Sequence, residues 1–443
     1  MKDRLARFFR FEDKGATLQT ELTAGLTTFL TMAYIIVVNP AILSETGMPF
    51  AGVLLATVLL AAGSSILMGF VANLPFAMAP GMGINAFFTY TLVLGMGVAW
   101  QTALGAVFVS GVIFLALSLM GVRERIVAAI PTPVRYGVAA GIGLFLALIG
   151  LQSVDFIVSD PVTVVTFGGL TAQIGVFAAG LAATTWMVIR RIRGALVFGI
   201  VGTSVIALLV SAAAESLGYA PFADTPDAVF AWPDASVLFA LDIRGALALG
   251  MIMPIFTFLF TDIFDSLSTF VGISEVGGFI DKKTGQPENV GRALLADAIS
   301  TTASGLLGTS SGTTYIESAA GIEEGGRTGL TAIVAGLLFL PFMFLSPLLA
   351  LVPEVATAPV LVLVGLFMMQ PLSRVRWNDF EDALPAFLAV ILIPLTYNIT
   401  QGIIWAFLAH TAIKLLLGKW RELTVTLIII DILAIISLAY GAE

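Results

Sequence analysis

Asp262 and Asp265 stand three residues apart in "FTFLFTDIFDSLSTFVG", inside an otherwise apolar run. On a helix that spacing puts both carboxyl groups on one face, about 60° apart. A third acid, Glu317, lies in the polar, Gly-rich stretch "GTSSGTTYIESAAG", with Thr314 and Ser318 close to it, and Asn85 lies in "NLPFAMAPGMGINAFF". Ionisable side chains among apolar residues are costly in a membrane unless they face a cavity, where they mark a substrate or ion path. A carboxylate there can accept a hydrogen bond from an N–H group or take up and release a proton. Three acids are one more than those two tasks need, so each task can fall to any of Asp262, Asp265 and Glu317.

The elements that must hold these groups are membrane spans. The chain has 443 residues, 58% hydrophobic and 11% charged, with a mean hydropathy of +1.01. Its apolar runs repeat at roughly 17 to 25 residues, the length that crosses a bilayer. Candidate spans cover residues 22–43, 51–71, 76–94, 98–120, 135–152, 170–189 and 194–214 in the first half. The second half offers 245–273, 291–309, 312–322, 328–351, 357–371, 382–397, 401–417 and 423–441. The last holds Asp431 and either spans or lies in the interface. The charged start "MKDRLARFFRFEDKG" has no apolar stretch behind it with a cleavage site, so no removable signal peptide is expected. With no Cys, neither a disulfide framework nor a Cys-ligated metal is expected. A net charge of −8 argues against nucleic acid as a partner.

Charge placement orients the spans. Lys2, Arg4, Arg7, Arg10 and Lys14 precede the first; Arg123, Arg125, Arg135, Arg190, Arg191, Arg193, Lys282, Lys283, Arg292, Arg327, Arg374, Arg376, Lys414, Lys419 and Arg421 all fall on that same side. Of 21 Lys and Arg only Arg244 falls opposite, beside a loop with Glu215, Asp224, Asp227, Asp234 and Asp242. Cytoplasmic loops carry the basic excess, so the N-terminus is expected to be cytoplasmic.

The acidic loop divides the chain into residues 1–215 and 244–443, with 216–243 as an extracytoplasmic connection. Each half has about seven segments, and an odd number inverts the second half, the arrangement of inverted-repeat transporters. In such folds two Gly/Pro-interrupted segments at matching positions mark the binding site. Here the third segment of each half fits: one carries Pro75, Pro80, Gly81 and Gly83, the other is the Gly308–Gly321 stretch. Short extended pieces are expected near Phe76–Met78 and Thr313–Ile316, pairing with each other and leading into half-helices that start near Asn85 and Glu317. Half-helix N-termini offer free N–H groups and partial positive charge. Gly81, Gly308, Ser310 and Ser311 have a second reading as small residues for tight helix packing, which leaves Glu317 unexplained. Asp262 and Asp265 have one as acids snorkelling from a helix end.

Asp297, near Arg292, reads equally as structural or functional. His410, the only histidine, reads as bundle-facing or interfacial rather than a proton relay, and Arg327 as a topology anchor. There is no Walker-type run, no His-Glu-x-x-His and no Cys-His pair, so neither an enzyme nor a nucleotide-driven pump is expected, and no cofactor.

The segments "TELTAGLTTFLTMAYIIVVNPAIL", "APGMGINAFF", "GIGLFLALIGLQ", "TDIFDSLSTFVG", "GTSSGTTYIESAAGIEEGGRTGLTAIVAG" and "PAFLAVILIPLTYNITQGI" together resemble the adenine/guanine/hypoxanthine permease family (AzgA-like), within the nucleobase–ascorbate transporter group. The resemblance runs in order over residues 10–420. It implies an all-α polytopic fold of two inverted seven-helix repeats, 14 transmembrane segments with the third and tenth broken. A core domain, segments 1–4 and 8–11, would move against a gate domain, segments 5–7 and 12–14. It also implies proton-coupled purine uptake across the plasma (inner) membrane. Carried over by position, Asn85, Asp262, Asp265 and Glu317 look like the substrate and proton residues. Ser268 stands where the family usually has Gly, and Gly312 where Thr is common.

The chemistry is compatible with that implication. A purine base is flat, mostly uncharged near neutral pH, and edged with donors and acceptors. A carboxylate accepts from its N–H groups, half-helix N–H groups donate to its ring nitrogens, and Phe87, Phe88, Phe256 or Phe264 could stack on it. The rival readings are another nucleobase such as uracil or xanthine, an inorganic anion on the same architecture, a cation channel and an intramembrane enzyme. Three acids disfavour an anion, a channel needs a ring of acids, and no nucleophile–base pair is visible for an enzyme. A homodimer is left open.

A tag placed in the 216–240 loop is predicted to be reached by an impermeant antibody from outside intact cells, and a tag at the N-terminus is not. Reversed labelling would overturn the orientation.

Overall fold

The computed structural model describes residues 2–120, 131–216, 228–280 and 288–440. A short N-terminal helix, Lys2–Phe9, precedes the first span. That span is broken: α1, Leu18–Met32, gives way at Ala33 and Tyr34 to α2, Ile35–Ser44. Thr17 caps α1 through a reciprocal pair of hydrogen bonds with Thr20. There follow α3 (Phe50–Val71), β1 (Met78–Pro80), α4 (Met82–Ala86) running into a π-helical stretch Phe87–Gly95, and α5 (Trp100–Leu119). Next come α6 (Thr132–Gln152), an exposed hairpin of β2 (Ile157–Asp160) and β3 (Val164–Phe167), α7 (Ala172–Ile189) and α8 (Ala195–Ser216). The second half has α9 (Ile252–Gly277), α10 (Val290–Leu307), β4 (Gly312–Thr314), α11 (Ser318–Glu323), α12 (Gly329–Phe339), α13 (Glu354–Met368), α14 (Phe380–Leu395), α15 (Ile399–Leu416) and α16 (Val425–Tyr440). Among the described residues nine helices are long and apolar enough to span a membrane.

The two interrupted segments meet. β1 and β4 pair antiparallel, with Met78 opposite Thr314, Ala79 opposite Thr313 and Pro80 opposite Gly312. Buried backbone groups need partners where no water reaches, and the strand ends find them. Met78 exchanges hydrogen bonds with the Ser65 hydroxyl, the Ala77 N–H donates to Ser318 Oγ at 3.0 Å, and the Gly81 N–H donates to the Ser311 carbonyl at 2.9 Å. Proline ends β1, where its missing N–H costs the ladder least. A Cβ on Gly312 would lie 2.2 Å from the Ser300 hydroxyl oxygen, which is itself 2.7 Å from the Ser64 hydroxyl. The glycine that departs from the resembling family's pattern is therefore matched to Ser300.

Close backbone contact carries the packing around the pair. α3 lies so near α12 that a Cβ on Gly329 would meet the Gly69 carbonyl oxygen at 2.0 Å, the small-residue contact by which helices approach in membranes. α12 also packs on α1, α10 on α3 and α5, and α9 on α5; α6 packs instead against α13, α14 and α15.

Several expectations shift. The extended pieces lie at Met78–Pro80 and Gly312–Thr314, displaced from Phe76–Met78 and Thr313–Ile316, because Ala77 and Tyr315 continue the hydrogen bonding outside the ladder. The first half-helix starts at Met82, a turn before Asn85, while the second starts at Ser318 with Glu317 as its cap residue. Segment 312–322 is a strand and a six-residue helix rather than a span, and 328–351 breaks into 3-10 structure from Leu340. The hairpin of β2 and β3 was not expected in an all-α chain. Asp431 accepts a hydrogen bond from Thr411 on α15 at 2.6 Å, so it is held by a neighbouring helix. Arg123, Arg125, Asp224, Asp227, Lys282 and Lys283, counted above for topology, lie outside the described residues, as does the Ser268 side chain.

Glu21 was passed over in sequence and proves central. It is 0% exposed, and its carboxylate accepts from the N–H groups of Arg327, Thr328 and Thr331 at 2.9, 3.2 and 3.1 Å and from the Thr328 and Thr331 hydroxyls at 2.8 and 2.7 Å. An acid on α1 thus caps α12, where helix N–H groups and dipole favour negative charge. Glu21→Ala orphans these donors, each worth about 1–3 kcal/mol when buried. Thermal unfolding in detergent should show a loss of several °C or failure to accumulate, with Glu21→Gln milder. An unchanged midpoint for the Ala variant would contradict this role.

Candidate functional site

β4 and the turn that follows β1 form one wall of a cavity of ≈ 320 Å³, within the size range of small-molecule pockets. Thr313 and Thr314 of β4, Glu317 before α11, and Gly81, Met82 and Gly83 after β1 line one side. Asp265 and Thr269 of α9 and Tyr34 from the break between α1 and α2 join them. Tyr136 and Ala139 of α6, with Phe367 and Met368 of α13, face them, and Arg374 stands beyond α13.

Three of the six predicted site residues therefore share the cavity: Asp265, Thr314 and Glu317. Glu317 accepts a 2.8 Å hydrogen bond from the Tyr34 hydroxyl, and Asp265 lies within hydrogen-bonding range of the Thr313 hydroxyl. The buried Thr314 hydroxyl oxygen has no protein partner among the described residues, so it is free for a ligand.

The other three hold the wall from behind. Asn85 is 0% exposed and accepts through Oδ1 from the Ser310 hydroxyl, joining the first half-helix to the loop before β4. Asp262, also fully buried, accepts from the Thr301 hydroxyl of α10. Ser318 accepts from the Ala77 N–H. None of these lines the cavity. The helical spacing of Asp262 and Asp265 does put both on the inner side of α9, but only Asp265 reaches the open space.

Other candidates are placed elsewhere. Asp297 is buried on α10 and makes no ion pair among the described residues. His410 is buried on α15 away from the cavity. Phe87, Phe88 and Phe264 are core residues; Phe87 packs edge-on against Phe258 at 4.8 Å. With Phe256 they leave the cavity walls to other side chains, so the expected stacking surface is corrected to Tyr34, Tyr136, Tyr315 and Phe367. Arg327 donates to the Ile322 and Gly326 carbonyls at 3.0 and 3.1 Å, closing the end of α11 rather than pairing with Glu317. A lone tyrosine inside "TMAYIIVVNP" gave no polar signal, and Tyr34 was missed for that reason.

Comparison with known proteins places the whole arrangement. The xanthine/uracil permease model, described as "Permease family", matches residues 19–404. This chain belongs to that family. It is 41% identical to the adenine permease AdeQ of Escherichia coli (strain K12) over 429 residues, covering 96% of this chain and 94% of the relative. It is 40% identical to the guanine/hypoxanthine permease PbuG of Bacillus subtilis (strain 168), covering 94% of this chain and 95% of the relative. Among solved structures, the transmembrane domain of the cyanobacterial bicarbonate transporter BicA superposes with a TM-score of 0.66 at 17% identity, covering 88% of this chain and 97% of that one. The family member is thus a multi-pass membrane permease with the inverted-repeat fold.

Proposed function

We propose that this permease carries purine nucleobases across the plasma membrane, coupled to protons, by alternating access, with its N-terminus cytoplasmic. The observation that carries the reading is the convergence of Asp265, Thr314 and Glu317 on one cavity that also offers the aromatic and Met side chains of Tyr34, Tyr136, Tyr315, Phe367, Met82 and Met368. The curated relatives named for adenine and for guanine/hypoxanthine support the substrate class.

The parts divide the recognition. Met82, Phe367 and Met368 offer apolar surface to the faces of a flat ring. The carboxylates accept from ring and exocyclic N–H groups, and the first turn of α4, where helix N–H groups lack internal partners, donates to ring nitrogens. The Thr314 hydroxyl can do either. Glu317, held by Tyr34, and Asp265, beside Thr313, are the two candidates for the coupling proton; Asn85, Asp262 and Ser318 position the wall. Two carboxylates, Asp265 and Glu317, outnumber the one cation, Arg374, at this cavity, and their repulsion of an anion disfavours bicarbonate-like cargo despite the shared fold. Movement is assigned between two packed sets: α1–α5, with the π-helical stretch, and α9–α12 as a core, and α6–α8 and α13–α15 as a gate.

Glu317→Gln keeps the side-chain volume and one acceptor but loses the charge and the exchangeable proton. Losing a hydrogen bond to a charged partner costs about 1.5–3 kcal/mol, so purine binding is expected to weaken at least roughly tenfold and protonophore-sensitive uptake to be lost. Expression-corrected uptake of labelled adenine and hypoxanthine checks this. Near-normal transport per molecule would remove Glu317 from the site.

A further inference from the structure

A second set of polar contacts lies further along α6, away from the cavity and its acids. On α6, Tyr136 and Ala139 line the cavity, while Gln152 ends the same helix about 24 Å further along at 1.5 Å per residue. Between them α6 presses on the first half-helix: a Cβ on Gly83 would lie 2.6 Å from Ile142 Cγ2. Beyond that contact three rings meet edge to face. Phe145 and Tyr397 have centroids 4.9 Å apart, Tyr90 and Tyr397 6.1 Å, and Tyr90 and Phe145 6.2 Å.

Each tyrosine hydroxyl has an acceptor. Tyr90 donates to Glu45, just after α2, at 2.6 Å, and Tyr397 donates to Gln152. The Thr91 hydroxyl donates to the Tyr397 carbonyl at 3.2 Å. That last bond and the ring contacts join the π-helical stretch to the α14–α15 turn and α6, elements of the two packed sets described above. Both sides have unusual backbones. Tyr397 has a φ of 54°, a left-handed conformation that costs energy for a non-glycine residue and persists only where neighbours impose it. Tyr90 and Thr91 lie in a nine-residue π-helix, a form that is rare and frequent at functional segments.

We propose that Tyr90, Thr91, Phe145, Gln152 and Tyr397, with Glu45, form a latch that closes the permease on the face opposite its N-terminus and opens when the cavity turns to that face. The inference rests on the alternating-access reading. It assigns to the present structure the state in which the cavity is reached from the Tyr136 and Arg374 side. Only the Thr91–Tyr397 hydrogen bond and the Tyr90 ring contacts cross between the sets; the Tyr90–Glu45 and Tyr397–Gln152 bonds each lie within one set and hold the rings in place. The crossing bond makes the latch reversible, since water can replace its acceptor once the sets separate.

The chain has no Cys, so Ala139→Cys supplies a reporter on the cavity wall. Labelling by an impermeant maleimide is followed from each face in oriented vesicles, with no purine present. The reporter should label readily from the N-terminal face and slowly from the other. Adding Tyr397→Ala should speed opposite-face labelling roughly tenfold by shifting the population toward the open latch. Thr91→Val, which keeps the side-chain shape and removes the one hydrogen bond across the sets, should move it the same way and decides the matter if the Ala variant does not fold. Unchanged opposite-face labelling in well-folded variants, or equal labelling from both faces before any latch substitution, overturns the latch. Purine uptake is not read in this assay, so failed transport and a failed latch give separate results.

Discussion

Three residues from one half of the chain pair with three from the other in an antiparallel ladder, and the site is organised by that short ladder. A backbone that leaves helical geometry between membrane-spanning helices exposes N–H and C=O groups that neither lipid nor apolar side chains can satisfy. β1 and β4 satisfy each other, and Ser65, Ser311 and Ser318 take up the groups at their ends. Once the strands are pinned, the positions of Gly81 to Gly83 and of Thr313 to Glu317 follow, and these supply one wall of the cavity. The buried contacts of Asn85 with Ser310 and of Asp262 with Thr301 brace the wall from behind. Glu21 ties α1 to the start of α12.

Much of this was legible in sequence because it is expensive. Acids, prolines and glycines inside apolar runs must be compensated, so their positions advertise the site, and the matching interruptions in the two halves advertise the symmetry. The strand boundaries were displaced because register depends on which backbone groups find partners outside the ladder, and Ala77 and Tyr315 carry no mark of that. Residue type likewise does not separate Asp265, which reaches the cavity, from Asp262, which serves Thr301. The aromatic walls were misassigned for a related reason. Phe87, Phe88 and Phe264 sit near the motifs in sequence but fill the core, while Tyr34 and Phe367 reach the cavity from helices with no polar signature. Glu21 carries no mark in sequence, because only the fold brings Arg327, Thr328 and Thr331 to it.

Fold and cargo separate cleanly here. The bicarbonate transporter's transmembrane domain shares the architecture at 17% identity, and the architecture alone specifies no ligand. What distinguishes this chain is the composition of its cavity, where two carboxylates against one arginine, a free hydroxyl and apolar faces suit a flat neutral donor-rich ring better than an anion.

The claim that a purine occupies this cavity is tested most directly by ligand protection of a cysteine at Met368, a half-buried wall position outside the polar set. In the otherwise Cys-free protein, adenine, guanine or hypoxanthine should slow alkylation of Met368→Cys in a saturable manner, while bicarbonate should leave the rate unchanged. Saturable purine uptake by the same variant with no protection by any purine would contradict the account.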